Sequence, residues 1–341
     1  MATTHKRFNT IDKLMVEGVS VTDSEEIKGT IISYYQNLYR ETEQWRPEFN
    51  VQGAERITQE ENVWLQRQFE EDEVFNCIKS CASDKAPGPD GFSMSFFQIF
   101  WEILKTDFMN AVRQFHERHE IEKKRLKKVI GKLMNNHQMA FIQGRQIMDA
   151  ALIESECVDS RIKGETPGIM CKLDIEKAYD HVNWKFLLNI LRQMGFGDKW
   201  LKWIGFCIKT VRFSILVNGE PAGFFPSERG LRQGDPLSPF LFILAMEGLN
   251  NMIRVANQND WIKGFNIGNQ SGVNLQICHL LYADDTLIFC DAKAEQVSYI
   301  RVVLVIFEAI SGLAMNWGKA ASSKSRKWQI FRCWQASCNA R

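Results

Sequence analysis

The stretch that most constrains this chain is 280–289, which reads LLYADDTLIF. Two adjacent carboxylates, Asp284 and Asp285, separate two apolar runs that are too short for helices and have the length of strands. The pattern predicts a β-hairpin with largely buried arms, about 275–283 and 286–291, and with both acids at its turn. Repulsion and desolvation oppose two like charges at such a place. A bound divalent cation would remove that opposition.

A third acid follows a second strand-like run. Residues 169–175 read as a buried strand that carries Asp174 near its end. If the two strands are neighbours in one sheet, Asp174 meets the hairpin acids, and such a group of hard oxygen ligands suits Mg²⁺. Two such ions about 4 Å apart stabilise the attacking and leaving oxygens of a phosphoryl displacement. Taken singly, Asp174 reads better as a strand-end cap, and the Asp284-Asp285 pair reads equally well as a polar turn.

Helical periodicity and turn residues place the other elements. Asp23 or Ser24 caps the first helix, and the pair Asn218-Gly219 predicts a tight hairpin turn. The predicted helices cover about 23–40, 60–82, 93–119, 183–194, 239–256 and 293–311, another helix ends at Arg161, and the second hairpin covers 211–228. Residues 41–57 read as a loop or linker. Residues 83–92 contain two prolines and two glycines and read as an ordinary turn or as a fixed loop against a ligand.

Charge is distributed unevenly along the chain. Residues 1–90 carry 10 Lys/Arg and 17 Asp/Glu, whereas residues 91–341 carry 32 and 24. The basic part also contains the acid hairpin, which favours a polyanionic partner there. For the basic run 123–128, a solvated helix face is preferred to a nuclear address or a phosphate contact.

Cysteine spacing and hydropathy argue against several classes of protein. The nine cysteines include no CxxC pair, and an odd count predicts reduced thiols and an intracellular site. The N-terminus lacks the apolar core of a signal peptide. The longest apolar stretches, near 237–246 and 302–310, are too short to span a bilayer, so no membrane partner is expected.

Several segments resemble reverse transcriptases. KLDIEKAYD, RGLRQGDPLSPFLFIL, LLYADDTLIF and GLAMNWGKA stand in the order and spacing of the palm motifs of that family. KAPGPDGF, QMAFIQGRQIMDA and KAYDHVNWKFL resemble the LINE-type, non-LTR retrotransposon branch, and plant elements in particular. HKRFNTIDKL and IISYYQNLY resemble the segment that joins the endonuclease of such elements to the polymerase. The resemblance covers nearly all of residues 1–319.

The resemblance implies a metal site and a selective pocket for the sugar. Asp174 and Asp284 match the metal-binding aspartates, and the backbone carbonyl of Ile175 completes a metal shell. Asp285 matches the third active-site acid and is included in the implied metal site. The implied cofactor is a pair of Mg²⁺ ions, with Mn²⁺ as the alternative. Tyr179 matches an aromatic steric gate that selects dNTPs over rNTPs, although a core tyrosine at the start of a helix explains it as well.

The resemblance also implies contacts with the substrates. Gln233 and Gly234 match the loop beside the incoming nucleotide and template base, where a glycine permits close approach. Arg232 and Arg229 read equally as phosphate contacts and as surface charge. Lys319 matches a lysine that acts as general acid to the leaving pyrophosphate. The implied partners are an RNA template, a DNA primer and dNTPs.

The implied fold is α+β. It is a right-hand polymerase palm with partial fingers, an antiparallel sheet packed against helices, and no thumb. The implied regions are an N-terminal linker and helical segment (1–57), a partial fingers region (58–165), the palm (166–319) and a disordered, aberrant tail (320–341). The implied reaction transfers a nucleotide from a dNTP to a primer 3′-OH, in the nucleus if the chain acts as retroelements do.

Two departures from the family pattern bear on activity. Between Gln114 and Gln138 the chain is shorter than the family, and the missing part carries the basic fingers motifs that hold triphosphate and template. The resemblance also stops near Lys319, and the tail resembles translation in a shifted frame. The alternative expectation is therefore a catalytically inactive retroelement remnant that at most binds nucleic acid.

Overall fold

The structure is a computed structural model that describes residues 10–51, 53–83, 92–118, 123–268 and 274–317. Its helices are α1 (Ser24–Leu38), α2 (Gln59–Gln66), α3 (Glu71–Ser80), α4 (Met94–Ile99), α5 (Trp101–Arg118), α6 (Lys123–Leu133), α7 (Ile147–Lys163), α8 (Ala178–His181), α9 (Trp184–Gln193), α10 (Asp198–Lys209), α11 (Ser238–Gln258) and α12 (Ala294–Ser311). Its strands are β1 (Leu14–Val16), β2 (Val19–Val21), β3 (Gly168–Asp174), β4 (Arg212–Val217), β5 (Glu220–Pro226), β6 (Phe265–Gly268), β7 (Asn274–Ile277), β8 (His279–Tyr282) and β9 (Asp285–Asp291).

The fold is mixed α+β with antiparallel sheets. The strand orders are β1-β2, β3-β9-β8, β4-β5 and β6-β7, and every named strand pair is antiparallel. The chain divides into two compact units, one formed by Met1–Gly53, Met134–Ile190 and Ile208–Arg341, and the other by Ala54–Leu133 and Leu191–Cys207. In the part of the chain that the structure describes, no helix is long and apolar enough to cross a membrane.

The three-stranded sheet of the first unit has two covered faces. Leu280 and Phe289 lie on one face, in an apolar cluster with Cys157 of α7 and Phe265 of β6. Leu281 and Ile288 are also buried, and strand alternation places them on the opposite face. Covering both faces explains why the hairpin arms read as continuous apolar runs rather than as an alternating pattern.

The predicted hairpin arm over 275–283 is shorter in the structure because Cys278 interrupts it. The residues before Cys278 form β7, which pairs with β6, and those after it form β8, which pairs with β9. The Cys278 carbonyl accepts a hydrogen bond from the Phe289 amide at 2.8 Å. One apolar stretch therefore serves two sheets.

The prediction of a single helix over 60–82 is wrong, because this stretch of the second unit forms two helices, α2 and α3, with a break between them. A capping box between Thr58 and Glu61 starts α2. Arg67 ends α2 and Glu70 begins α3, and the backbone of both residues is extended. The carbonyls of Arg67 and Gln68 both accept hydrogen bonds from the guanidinium of Arg125, which compensates the broken helix. A similar break at Phe100 divides the predicted helix over 93–119 into α4 and α5.

Arg125 corrects the expectation that the basic run is a solvated helix face. The residue is fully buried, and its Nε and Nη2 each donate to the Glu73 carboxylate at 2.8 Å. Its guanidinium also lies 4.0 Å from the ring centroid of Phe69. Lys127 and Lys128 are exposed, so the basic run contains both a buried arginine and exposed lysines.

Candidate active site

The hairpin turn places Asp284 at the end of the three-stranded sheet. β8 ends at Tyr282 and β9 begins at Asp285, so Ala283 and Asp284 form a two-residue loop. Ala283 has φ of 54°, in the left-handed region that a residue with a side chain rarely adopts. The predicted hairpin with its acids at the turn is therefore present.

Asp174 and Asp285 are direct cross-strand partners in the register of β3 and β9. Residues directly opposite in an antiparallel pair have their side chains on the same face, with Cβ atoms about 5 Å apart. Lys172 lies on that face too, and its Nζ is 3.0 Å from Asp285 Oδ1 in an ion pair whose side chains are both more than half exposed. Strand register thus brings Asp174 opposite Asp285, while Asp284 lies in the adjoining turn.

The acids do not by themselves form a closed cation site. Among the residues that the structure describes, no three His, Cys, Asp or Glu side chains are arranged to hold a metal ion. Carboxylate oxygens are nevertheless the donors that Mg²⁺ prefers, and Mg²⁺ takes its remaining ligands from water and substrate phosphates. The donor chemistry at this edge fits such an ion, while the arrangement is open.

Ile175 follows β3 and forms an isolated antiparallel bridge with Met315. The bridge uses the Asp174 carbonyl, which accepts from the Asn316 amide at 2.9 Å, and the Glu176 amide, which donates to Ala314 at 2.9 Å. In such a pair the carbonyl of the central residue points away from the partner strand. The Ile175 carbonyl therefore stays outside this pair of hydrogen bonds.

Tyr179 lies on α8 beside the acid edge, which is the end of the three-stranded sheet that carries Asp174, Asp284 and Asp285. Its ring stacks on Phe242 of α11, with centroids 4.8 Å apart and planes 18° apart. Burial, together with the nearby carboxylate of Asp284, raises the pKa of the Tyr179 phenol to about 12. The tyrosine is thus neutral at physiological pH, held flat against the core and electrostatically coupled to the hairpin turn.

The loop before α11 is tied to α8 by backbone hydrogen bonds. The Leu231 amide donates to the Tyr179 carbonyl at 2.6 Å, and the Gly230 amide donates to Val182 at 2.9 Å. Arg232, Gln233 and Gly234 follow and are exposed, as a ligand-facing loop requires. Arg229 is different from Arg232, since its Nε donates to the Leu38 carbonyl at 3.0 Å.

Three of the predicted features fall outside the described residues. They are Lys319, the tail over 320–341 and nearly all of the proline-glycine loop over 83–92.

A buried polar network behind β8 has no counterpart among the predicted site residues. Asn250 donates to Glu247 Oε2 at 2.7 Å, and Asn250 Oδ1 lies 2.8 Å from His279 Nε2. The His279 ring stands 4.5 Å from that of His137, and burial lowers the His279 pKa well below its usual value. Burial also raises the pKa of Glu247 to about 7. Polar residues at core positions of the apolar helix α11 were the signal that could have revealed this network.

Three acids at one sheet edge, an aromatic side chain beside them and a tethered glycine-containing loop have the composition of a phosphoryl-transfer site. The sequence model of the family described as Reverse transcriptase (RNA-dependent DNA polymerase) matches residues 111–331. This match covers more than half of the chain, and the protein belongs to the reverse transcriptase family. The match includes Asp174, Asp284 and Asp285.

Curated relatives include several transposon proteins. The chain is 21% identical to the transposon TX1 uncharacterized 149 kDa protein of Xenopus laevis over 89% of its own length, and spans 26% of that protein. It is 30% identical to a Pol polyprotein from the retrotransposable element R2 of Popillia japonica, over 48% of the chain and 25% of the relative. An uncharacterized mitochondrial protein of Arabidopsis thaliana is 48% identical over 21% of the chain and 57% of its own length. The chain thus spans about a quarter of the length of these two transposon relatives.

Among solved structures, the chain is similar to the telomerase of Candida albicans in complex with a fragment of telomeric RNA. The TM-score is 0.44 at 12% sequence identity, over 65% of this chain and 39% of the telomerase chain.

Proposed function

We propose that the chain is the RNA-directed DNA polymerase domain of a LINE-type, non-LTR retrotransposon. In this proposal it adds a dNTP to the 3′-OH of a DNA primer on an RNA template. The observation that carries the proposal is the register that sets Asp174 opposite Asp285, with Asp284 in the adjoining turn. The fold would then be the palm of a right-hand polymerase, and the family match and the transposon relatives support that assignment.

The acid edge would hold two Mg²⁺ ions, or Mn²⁺ in their place. Asp174, Asp284 and the carbonyl of Ile175 are the proposed ligands, with Asp285 completing the acidic surface. Bound ions of this kind neutralise charge on the attacking and leaving oxygens of an in-line displacement. The open arrangement of the carboxylates leaves coordination positions for triphosphate oxygens.

Tyr179 is proposed as the gate that excludes a ribose 2′-OH. The stacking on Phe242 and the partial burial of the side chain restrict the movement of the ring, so the ring cannot easily make room for an extra hydroxyl. The effect of the Asp284 carboxylate on the pKa of the phenol supports a position for Tyr179 near the acid edge, where the sugar of a dNTP would lie.

The exposed loop would contact the incoming nucleotide. Gly234 has φ of +84° and open space around the position of an added Cβ, so the backbone there can approach a ligand. Gln233 would lie beside the base, and Arg232 would meet a phosphate. Lys319 remains the proposed general acid to the leaving pyrophosphate.

A second candidate function is a remnant that binds nucleic acid without turnover. The observation that favours it is the absence, within the described residues, of three acidic, His or Cys side chains that converge on one point. The ion pair between Lys172 and Asp285 also satisfies one acid without a metal. Activity therefore decides between the two candidates.

Primer extension on an RNA template with Mg²⁺ and dNTPs is the experiment. The polymerase proposal predicts template-complementary extension that Asp284→Ala abolishes, while Asp260→Ala, which changes an exposed acid in the turn after α11, leaves it intact. If the unaltered chain and Asp260→Ala extend the primer and Asp284→Ala does not, the hypothesis of an inactive remnant is refuted. Retained binding to the primer–template without extension by the unaltered chain would sink the polymerase proposal.

A further inference from the structure

Gln138 lies at the outer edge of β8, next to the hairpin that carries the acids. The Leu281 amide donates to the His137 carbonyl at 2.8 Å, and the Met139 amide donates to the Leu281 carbonyl at 2.9 Å. These bonds form a parallel bridge between Gln138 and Leu281, so the segment 137–139 extends the sheet by one short strand. Gln138 itself is fully buried.

The carboxamide of Gln138 reaches the hairpin turn. Its Oε1 accepts a hydrogen bond from the Ala140 amide at 3.0 Å and a longer one from the Ala283 amide at 3.4 Å. Both neighbours are N–H donors, so the atom that faces them must be the oxygen of the carboxamide. Ala283 is the left-handed residue directly before Asp284, which means that Gln138 holds the strained position of the turn.

The segment that carries Gln138 is anchored in turn to α11 and to itself. Arg145 Nη1 donates to the carbonyls of Asn135 and Gln138 at 2.5 Å each. The Asn135 amide donates to the carboxylate of Glu247 on α11 at 3.2 Å. A side chain mounted on so constrained a backbone can fix the geometry of what it touches.

We infer that Gln138 is a positioning residue for Asp284. Its carboxamide binds the backbone amide of Ala283 and so keeps Ala283 in the left-handed conformation. This conformation aims the Asp284 carboxylate along the acid edge. This role rests on the proposed polymerase function, but its structural part does not. If Gln138 only accepted a hydrogen bond from the Ala140 amide, its replacement would change neither the hairpin turn nor the metal dependence of the reaction.

Gln138→Met tests the inference, because methionine keeps the length of the side chain and removes the acceptor. Thr286→Val is the matched control. Thr286 is fully buried in β9 next to Asp285, and its hydroxyl makes no hydrogen bond within the described residues. Gln138→Glu is the conservative variant, since it keeps an oxygen that faces both amides.

The first readout is amide hydrogen exchange at Ala283, which needs no catalysis. We expect exchange about two- to threefold faster in Gln138→Met, the low end of the range for the loss of one hydrogen bond, because this bond is long. Thr286→Val should exchange like the unaltered chain, and Gln138→Glu should restore protection. Unchanged exchange at Ala283 in Gln138→Met overturns the inference, as does a Gln138→Glu variant that exchanges like the methionine variant.

The second readout is polymerisation, which separates this inference from the proposed function. For an active chain, Gln138→Met should lower kcat about tenfold and raise the Mg²⁺ concentration needed for half-maximal rate, with little change in KM for dNTP. A fall in kcat with an unaltered Mg²⁺ dependence contradicts positioning through Asp284. If the unaltered chain does not extend primers, the proposed function fails, and amide exchange still decides the role of Gln138 at the turn.

Discussion

Gly230→Ala should separate a steric requirement of the loop before α11 from the ordinary effect of removing a glycine. A Cβ at Gly230 would lie 2.5 Å from the Asp180 carbonyl oxygen, whereas ordinary contact begins near 3.4 Å. The backbone would have to move by about 0.9 Å, and overpacking of this kind typically costs about 1–3 kcal/mol. The φ of +87° at this position adds about 1 kcal/mol for any residue with a side chain.

Gly234→Ala provides the comparison within the same loop. Gly234 has φ of +84°, but nothing lies within 4 Å of the position that its Cβ would take. We predict that the free energy of unfolding falls by about 3 kcal/mol for Gly230→Ala and about 1 kcal/mol for Gly234→Ala. Urea unfolding followed by far-UV circular dichroism measures both. Equal losses in the two variants would refute the packing of the loop against α8.

Three further predictions concern the buried charges and the gate. Burial raises the pKa of Glu247 from 4.5 to about 7, so between these two pH values the folded chain keeps a proton that the unfolded chain releases. The free energy of unfolding should therefore fall by on the order of 3 kcal/mol as the pH rises from about 4.5 to about 7. Chemical unfolding of Glu247→Gln across that range should show a flatter pH dependence, and an unchanged slope would contradict the prediction. Arg125→Ala removes one of the two arginine partners of Glu73 and the donor to three carbonyls. Urea unfolding should show a loss of about 3–5 kcal/mol, chiefly from the buried carbonyls and the lost packing, against about 0.5 kcal/mol for Arg192→Ala, which changes an exposed residue. Similar losses in the two variants would show that the buried arginine has no structural role. In an active chain, Tyr179→Ala should increase rNTP incorporation relative to dNTP incorporation in single-nucleotide extension, and an unaltered ratio would remove Tyr179 from the gate.

The local pattern around the acids could be predicted from the sequence because it depends on short-range physics. Two apolar runs of strand length around Asp284 and Asp285 specify a hairpin, and the strand before Asp174 has the same character. The structure then places Asp174 opposite Asp285 through register. That register depends on which strands become neighbours over 110 residues of chain, which periodicity cannot decide, so the meeting of the acids is predicted only on the condition that the two strands are neighbours.

Other features could not be predicted because they depend on distant partners. The basic run around Arg125 has the composition of a solvated surface, and only the packing of Glu73 and the α2–α3 break against it makes Arg125 a core residue. In the same way, Gln138 lies in a segment that the resemblance identified but to which no role was attached. The role proposed for it depends on the Ala283 amide that the structure places beside its carboxamide.

Binding of Mn²⁺ to the protein without nucleotide is the sharpest test of a metal site at the acid edge, since Mn²⁺ can replace Mg²⁺ at oxygen ligands and is visible by electron paramagnetic resonance. We predict that the unaltered chain removes Mn²⁺ from solution and that Asp284→Asn and Asp174→Asn each weaken this binding at least about tenfold. Asp260→Asn, which alters an exposed acid paired with Lys263, should bind like the unaltered chain. Equal Mn²⁺ binding by all four proteins would contradict a metal site at the acid edge.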